Sequence, residues 1–260
     1  MVISDDLNAC AGLVERGDME RFMAAMAAPP AARDVLFPLY AFNVEVSRAP
    51  WVTQEPMIAE MRLQWWRDAL DEIARGDTPR RHEVVSPLSA ILDDPACAVL
   101  DRLVLARRWD IYRDPFEDAA AFDTFLDDTA GGLMWVAARA LGAPDAAEQT
   151  VRDIGFAHGL VAWFRAIPAL EAAGRVPLVD GRPEAVAGLA RRALDRLGQA
   201  RKTQTALPRA SRAALLPAWK SAPILRAVAK DPARVSAGAM DLSEAGSRLR
   251  LILAAGRGRI

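Results

Sequence analysis

Hydrophobic residues recur at helical spacing through almost the whole chain, and this periodicity constrains the fold more than any other feature of the sequence. In residues 54–75, for example, Met57, Met61 and Trp65 fall on one helical face, and Leu70 follows further on. Alanine and leucine predominate, and runs of β-branched residues are few, which favours helix over strand. The sequence therefore predicts an all-α protein.

Proline, glycine and capping residues divide this pattern into separate helices. Asp18, Thr53 and Asp145 are predicted N-caps, and Gly76 is a predicted helix end. After the helix that Asp18 caps, the predicted helices cover about 31–47, 54–75, 95–112, 119–141 and 145–167. Residues 77–87 and 174–182 are predicted loops. Beyond residue 182 we expect three or four shorter, basic helices separated by Pro208, Pro217, Pro223 and Pro232.

Small residues mark two places where another backbone is expected to approach closely. One is residues 130–132, with the sequence Ala-Gly-Gly, and the other is the pair Gly155 and Gly159. The sequence shows no internal repeat, low-complexity tract or linker. With 260 residues, of which 52% are hydrophobic, the chain can bury a sizeable core. One domain over 1–260 is the simplest prediction, with about 182–260 its least defined part.

The two cysteines, Cys10 and Cys97, have no metal-like spacing and are predicted to be free thiols in a reducing compartment. Residues 1–6 are acidic rather than basic and lack the apolar run of a signal peptide. No stretch approaches the roughly 18–20 apolar residues of a membrane span. These features predict a soluble cytoplasmic protein without a transmembrane helix.

Charge is unevenly distributed along the chain. Residues 1–174 contain 16 Arg and Lys against 28 Asp and Glu, a net of −12, whereas residues 175–260 contain 17 against 6, a net of +11. The basic part is expected to meet an acidic partner, an anionic membrane surface or the acidic part of its own fold. Nucleic acid is not an expected partner, because the basic residues lack interleaved aromatic residues.

Two segments resemble the strongest signatures of the squalene/phytoene synthase family. They are residues 39–42 (Leu-Tyr-Ala-Phe) and residues 155–157 (Gly-Phe-Ala), the second followed by Arg165 and by residues 174–176 (Gly-Arg-Val). The resemblance implies an isoprenoid-synthase-like helical bundle around a central cavity. It also implies the head-to-head condensation of two prenyl diphosphates, with Mg²⁺ held by aspartates to stabilise the departing diphosphate.

The aspartates of that family are absent at the matching positions. Their places are taken by Ser47, Trp51, Ala166 and Leu170, and Arg48 puts a cation beside the first pair. In addition, Ala162 stands where the family has Asn, and Phe125 where it has Tyr. Pro168 is predicted to end its helix within the second motif. The resemblance therefore implies a site without catalytic aspartates, without a metal and without a cofactor, unless Mg²⁺ is held from elsewhere.

Other carboxylates and histidines offer weaker candidates. Glu45 is interpreted as a solvated or salt-bridged residue. Asp127 and Asp128 are adjacent on a helix and so point about 100° apart, which favours surface or capping roles over a shared metal. His82 is predicted to be solvated in a charged loop. For His158 the two interpretations are a hydrogen-bonded core histidine and a catalytic base.

Within the family, residues 41–45 and 61–66 are similar to a branch that acts in the assembly of respiratory complex I and is regarded as non-catalytic. Residues 154–168, including their proline, are similar to the same branch. This resemblance implies a pseudo-enzyme that acts as an assembly or adaptor factor, either in the cytoplasm or peripheral at the inner membrane, with a respiratory-complex subunit or intermediate as its partner. Two alternatives stay open: an active head-to-head prenyl synthase, and an isoprenoid or lipid carrier. The residues expected around a residual pocket are Arg33, Tyr40, Phe42, Glu45, Arg48, Gln64, Trp65, Phe125, His158, Ala162 and Arg165.

Overall fold

Helix follows helix through the computed structural model, which describes residues 5–260 and contains no strand in that range. The α-helices are α1 (Asp5–Gly17), α2 (Met19–Ala27), α3 (Arg33–Arg48), α4 (Pro56–Ala74), α5 (Val85–Ser89), α6 (Asp94–Ala106), α7 (Ala119–Leu126), α8 (Gly132–Ala140), α9 (Glu148–Ala172), α10 (Pro183–Thr203), α11 (Ser221–Lys230), α12 (Ala233–Ser236) and α13 (Glu244–Arg257). Residues 1–4, on which part of the signal-peptide prediction rests, lie outside the described residues.

Shorter helical turns join several of these elements. A π-helical turn, Asp127–Gly131, links α7 to α8, so that the predicted helix 119–141 is continuous but widened in its middle. The 3₁₀ segments are Pro30–Ala32, Ala49–Trp51, Arg107–Asp110, Asp145–Ala147, Gln204–Ala206 and Ser211–Lys220.

Helix α9 lies at the centre of the fold. Its buried residues occur around its whole circumference, as expected of a helix enclosed on all sides. It contacts α7, α8, α10, α11 and α12, the π-helical turn and the Ser211–Lys220 segment. Around this centre α1 packs on α3, α4 on α6, and α13 on Ser211–Lys220. One continuous hydrophobic core includes residues from α1 through α13, so the basic C-terminal helices belong to the same domain.

The predicted helix ends are right at Asp18 and Gly76, but the predicted N-cap Asp145 is wrong, because Asp145–Ala147 form a 3₁₀ turn and α9 begins at Glu148 without a side-chain cap. The Asp18 side chain accepts a hydrogen bond from the Arg21 backbone N–H at 2.9 Å, and Gly76 has φ of 71° after α4. The prediction for Thr53 is wrong, because α4 begins only at Pro56, whose ring fixes φ at a helical value. Thr53 Oγ1 instead accepts from the Glu55 N–H at 3.1 Å.

Several predictions drawn from prolines and loops are also wrong. Pro168 lies inside α9, which continues to Ala172, since one lost backbone donor does not outweigh the burial of Ile167 and Leu170 on either side. Pro217 and Pro223 likewise lie within helical segments rather than between them. In addition, the predicted loop 77–87 contains the start of α5.

The two cysteines are free and buried, as predicted. Burial raises the pKa of each thiol to about 12, so both stay protonated at neutral pH. Within residues 5–260, no helix is both long enough and apolar enough to cross a bilayer.

Part of the positive charge of residues 175–260 is neutralised by acidic residues of the same fold. Three ion pairs join the basic C-terminal third to acidic residues before position 175: Lys220 to Glu20, Arg192 to Asp123, and Arg196 to Asp153. Their N···O distances are 2.7–2.8 Å. The acidic part of the same fold is one of the three partners expected for the basic residues.

The two small-residue sites predicted from the sequence meet each other. A Cβ placed on Gly155 would lie 2.7 Å from the Gly131 Cα and 2.8 Å from the Ala130 carbonyl oxygen. A Cβ on Gly159 would lie 2.5 Å from the Ala130 Cβ. Real Cβ atoms do not approach other heavy atoms this closely, so glycine at both positions allows α9 to pack directly on the π-helical turn.

We expect Gly155→Ala to lower the free energy of unfolding by about 2 kcal/mol, because the added methyl group meets backbone that cannot move aside. Gly198→Ala is the matched control. Gly198 lies on an exposed face of α10, and a Cβ added there would have no neighbouring atom within 4 Å, so alanine should be neutral or stabilise by up to about 1 kcal/mol. Urea unfolding of both variants measures the difference. Equal stabilities would show that the contact between α9 and the turn is loose.

Candidate functional site

A central cavity of about 460 Å³ lies between α3, α9 and the π-helical turn. All four residues that stand at the expected aspartate positions line it: Ser47, Trp51, Ala166 and Leu170. Arg48, Phe125 and Ala162 of the predicted pocket also line it. The fold thus brings the two motif regions to opposite sides of one cavity. Trp51, Trp163 and Leu170 line this cavity without filling it.

The charged groups in the cavity form Asp–Arg pairs. Asp18 accepts hydrogen bonds from the backbone and side chain of Arg21, and Asp110 lies 3.5 Å from the Arg107 guanidinium. Burial opposes ionisation of Asp18, but Arg21 outweighs it and holds the pKa of that carboxyl below its usual value. For Asp110, burial dominates and raises the pKa of the carboxyl despite Arg107. Each cavity carboxylate therefore already has a cationic partner.

Two polar atoms at the cavity have no protein partner. Asn43 Oδ1 and Arg107 Nε are both buried, and both residues line the cavity. A buried donor or acceptor left unpaired is costly, so the natural partner is water or a ligand hydroxyl, which can donate to Asn43 Oδ1 and accept from the Arg107 Nε–H. Within residues 5–260, no three His, Cys, Asp or Glu side chains are grouped closely enough to hold a metal ion.

An aromatic wall closes one side of the cavity. Trp163 contacts Trp109, Phe116 and Phe125, with ring centroids 5.0–5.8 Å apart, and its indole N–H donates to the Pro177 carbonyl at 2.9 Å. These edge-to-face contacts and the buried hydrogen bond fix the indole in place. Trp51, by contrast, is 44% exposed and lies at the cavity mouth.

Glu45 and Trp65 line a neighbouring cavity of about 320 Å³, which Arg48 shares with the central one. Glu45 pairs weakly with Arg48 at 3.8 Å, in agreement with its interpretation as a salt-bridged residue. The prediction that His82 is solvated is wrong. Its ring packs 5.1 Å from Trp65 and 5.5 Å from Trp66, and its Nδ1 accepts from the Val84 N–H at 3.1 Å.

Four of the expected pocket residues lie elsewhere. Tyr40 and Phe42 are buried in the core, and Phe42 packs edge-on against Trp66 at 5.3 Å. Arg33 donates to the Met26 carbonyl at 2.9 Å at the start of α3. Gln64 lies on the outer face of α4 and donates to Asp68 at 2.7 Å. None of the four lines the central cavity.

Asp127 and Asp128 are ion-paired on different sides of the π-helical turn, and Asp127 is the C-cap residue of α7. Asp127 accepts from Arg152 of α9 at 2.9 Å, and Asp128 lies 3.5 Å from Arg102 of α6. Burial raises the pKa of Asp128, and Arg102 opposes the rise. Their different partners bear out the expectation that the two side chains diverge.

Arg165 belongs to an ion-pair cluster behind the cavity. Glu20 of α2 accepts from Arg165 at 2.8 Å and from Lys220 at 2.7 Å, and so joins three segments that are distant in sequence. Burial opposes ionisation of Glu20, but Lys220 and Arg165 lower the pKa of its carboxyl below the usual value. This cluster fixes α2, and with it Asp18 and Arg21, against α9.

His158 lies buried next to this cluster. Its Nε2 has no hydrogen-bond partner, so the structure does not supply the hydrogen bond expected of a core histidine. Burial and the nearby Arg21 lower its pKa to about 3, although Asp18 and Glu20 act in the opposite direction. The imidazole is therefore neutral at physiological pH, and it does not line the central cavity.

A buried neutral histidine makes stability depend on pH. The unfolded chain, with an ordinary histidine pKa near 6.5, binds more protons than the folded protein between about pH 6.5 and 3, so stability falls as the pH is lowered through this range. We expect wild-type protein to lose about 2 kcal/mol more between pH 7 and pH 5 than His158→Gln does. Urea unfolding at both pH values measures this difference.

His82→Gln is the control for that experiment, because it removes the other histidine of the chain. A wild-type slope in His158→Gln would mean that the folded protein protonates His158 as readily as the unfolded chain.

Sequence reasoning missed several cavity residues. Asn43 and Val44 lie one turn before Ser47 and Arg48, and Gly159, Trp163 and Ala169 share the face of α9 with Ala166. Extending each motif by one helical turn in either direction would have found them. No such signal exists for Arg107 and Asp110, which reach the cavity from the end of another helix.

Comparisons with known proteins agree with this geometry. The squalene/phytoene synthase family profile matches residues 14–179, which include both sides of the cavity. A complex I assembly factor 6 homolog from Drosophila melanogaster is 32% identical over 170 residues, covering 61% of this chain and 50% of that protein. The human complex I assembly factor 6 is 24% identical over 161 residues, covering 61% and 48%. The chain thus spans about half the length of these curated relatives.

Two solved structures share the fold. A dehydrosqualene synthase in complex with ligand superposes with a TM-score of 0.78 at 14% identity, over 97% of this chain and 95% of that one. The squalene synthase HpnC from Alicyclobacillus acidocaldarius gives 0.70 at 15% identity, over 86% and 93%. These structures establish the fold, and the profile match establishes the lineage: the chain belongs to the squalene/phytoene synthase family.

Proposed function

We propose that this protein is an assembly factor for respiratory complex I that uses the synthase fold without its chemistry. The observation that carries the proposal is the match to curated relatives named as complex I assembly factor 6, over 161–170 residues or 61% of this chain. Its partner in this proposal is a subunit or assembly intermediate of that complex. The proposed location is the cytoplasmic side of the respiratory membrane.

The cavity supports this proposal through the residues at the four expected aspartate positions. Ser47, Trp51, Ala166 and Leu170 offer no carboxylate to a metal ion. The two carboxylates that do line the cavity, Asp18 and Asp110, are each paired with an arginine. These residues do not fit a Mg²⁺ cluster, and without one a departing diphosphate loses its main electrostatic stabilisation. We therefore propose no cofactor and no prenyl transfer.

A second candidate function is that of an isoprenoid or lipid carrier. The cavity remains open at about 460 Å³, Arg48 lies at its edge with 61% of its side chain exposed, and Asn43 Oδ1 and Arg107 Nε lack protein partners. An apolar chain with a polar head group suits such a lining. Titration calorimetry with a non-hydrolysable farnesyl diphosphate analogue tests this candidate. Binding without Mg²⁺ supports the carrier, Mg²⁺-dependent binding supports a synthase, and no binding leaves the assembly factor.

Deleting the gene should lower the amount of assembled complex I, as seen on native gels and by NADH:quinone activity of the membranes. Complementation with Glu45→Gln or Asp128→Asn should restore assembly, because a scaffold needs neither carboxylate for chemistry. Both residues have only long ion pairs, at 3.8 and 3.5 Å, so both variants should fold. Normal assembly in the deletion strain would contradict the proposal.

Purified protein should release no diphosphate from farnesyl diphosphate above the uncatalysed rate, with or without Mg²⁺. An active squalene synthase of the same fold, assayed in parallel, is the positive control. Mg²⁺-dependent turnover that is lost in Asp128→Asn would instead establish a synthase with relocated metal ligands.

A further inference from the structure

Helix α13 has apolar residues on two opposite faces. Ser247, Leu251 and Ala254 are buried against the rest of the protein. Leu249, Ile252 and Leu253 follow the i, i+3, i+4 spacing of a single stripe on the other side, where they are 57%, 67% and 40% exposed. A helix at the surface of a globular protein normally presents polar residues there. We call these three residues the outer stripe.

Arginines flank the outer stripe. Arg248, Arg250 and Arg257 lie on α13, and Arg259 follows it. Only Arg248 has an acidic partner, Glu244, which is also the only acidic residue of the helix. Arg250, Arg257 and Arg259 make no ion pair with any residue in the described range 5–260. The internal ion pairs that absorb basic charge elsewhere in the C-terminal third therefore do not extend to this helix.

From these observations we propose that the outer stripe of α13 docks on the surface of an anionic lipid bilayer. Apolar side chains in the centre with arginines on both flanks are the pattern of a helix lying in the interfacial plane. Leucine and isoleucine enter the acyl boundary while the arginine stems extend to the phosphates. The helix axis is then parallel to the membrane, and α13 spans nothing, in keeping with its 14 residues.

The size of the stripe favours a bilayer over a folded protein. A standard protein interface uses about 20–30 residues from each partner. Three exposed apolar side chains and four arginines fall well short of that number, whereas a fluid bilayer needs no matching shape. The arginines also complement anionic head groups directly, because three of the four have no competing acid.

Vesicle co-sedimentation of the purified 260-residue protein tests this proposal. The probes are vesicles of phosphatidylcholine alone and vesicles with about 30% phosphatidylglycerol, at low and at physiological salt. We expect binding to the anionic vesicles only, weakened by salt. The stripe variant Leu249→Ser/Ile252→Ser/Leu253→Ser should reduce the partition coefficient by about tenfold or more, because each buried apolar side chain contributes to insertion. Arg250→Glu/Arg257→Glu should reduce it by a similar factor.

The matched control is Met57→Ser/Ile58→Ser/Met61→Ser on α4. It also removes three exposed apolar side chains, 76%, 45% and 66% exposed, from a different surface. This variant should bind vesicles like wild-type protein. Thermal unfolding of all variants verifies that each remains folded, which the exposure of the replaced residues favours.

Other outcomes would overturn the proposal. Equal loss in the α4 control would place the membrane contact elsewhere, and loss only in the arginine variant would show attraction without insertion. Light scattering that reveals a dimer abolished by the stripe variant would make a second copy of the chain the occupant. Because the assay contains no complex I subunit, a failure here leaves the proposed assembly function untouched, and the reverse also holds.

Discussion

Direct packing of α9 on the π-helical turn at Asp127–Gly131 is the contact on which the rest of the structure depends. Gly155 faces the backbone of Ala130 and Gly131 directly, and Gly159 leaves room for the Ala130 methyl group. That approach sets the depth of α9 in the core, and α9 in turn supplies one wall of the cavity and contacts most of the C-terminal helices. Larger residues at this junction would push apart the elements that enclose the cavity.

The cavity is lined by residues of both motif regions, and its carboxylates are paired with arginines. Side chains from α3 and α9 still face each other across about 460 Å³, but the facing residues are small, apolar or cationic. The remaining carboxylates are neutralised by arginines at short range. A buried charge that is already paired has little left to offer to a metal ion.

Ion pairs divide the basic C-terminal third into two parts with different environments. Lys220, Arg192 and Arg196 pair with acids of the first 174 residues and fasten their segments to the core. In contrast, Arg250, Arg257 and Arg259 near the end of the chain make no ion pair with any residue in the range 5–260. A count of charge from the sequence gives a single net of +11 for residues 175–260, and only the packing shows which part of that charge is already neutralised within the fold.

Periodicity by itself determined the all-α class, the main helices and the close approach at Gly155 and Gly159, because these depend on local spacing and side-chain size. The motifs also indicated that Ser47, Trp51, Ala166 and Leu170 belong to one site, and all four line the cavity. Tertiary structure alone decided that α9 continues through Pro168, that His82 packs on two tryptophans, and that Arg107 and Asp110 complete the cavity. Those features rest on contacts between residues far apart in the chain. The packing energy of such contacts outweighs local helix preference, and the contacts themselves produce no periodic pattern in the sequence.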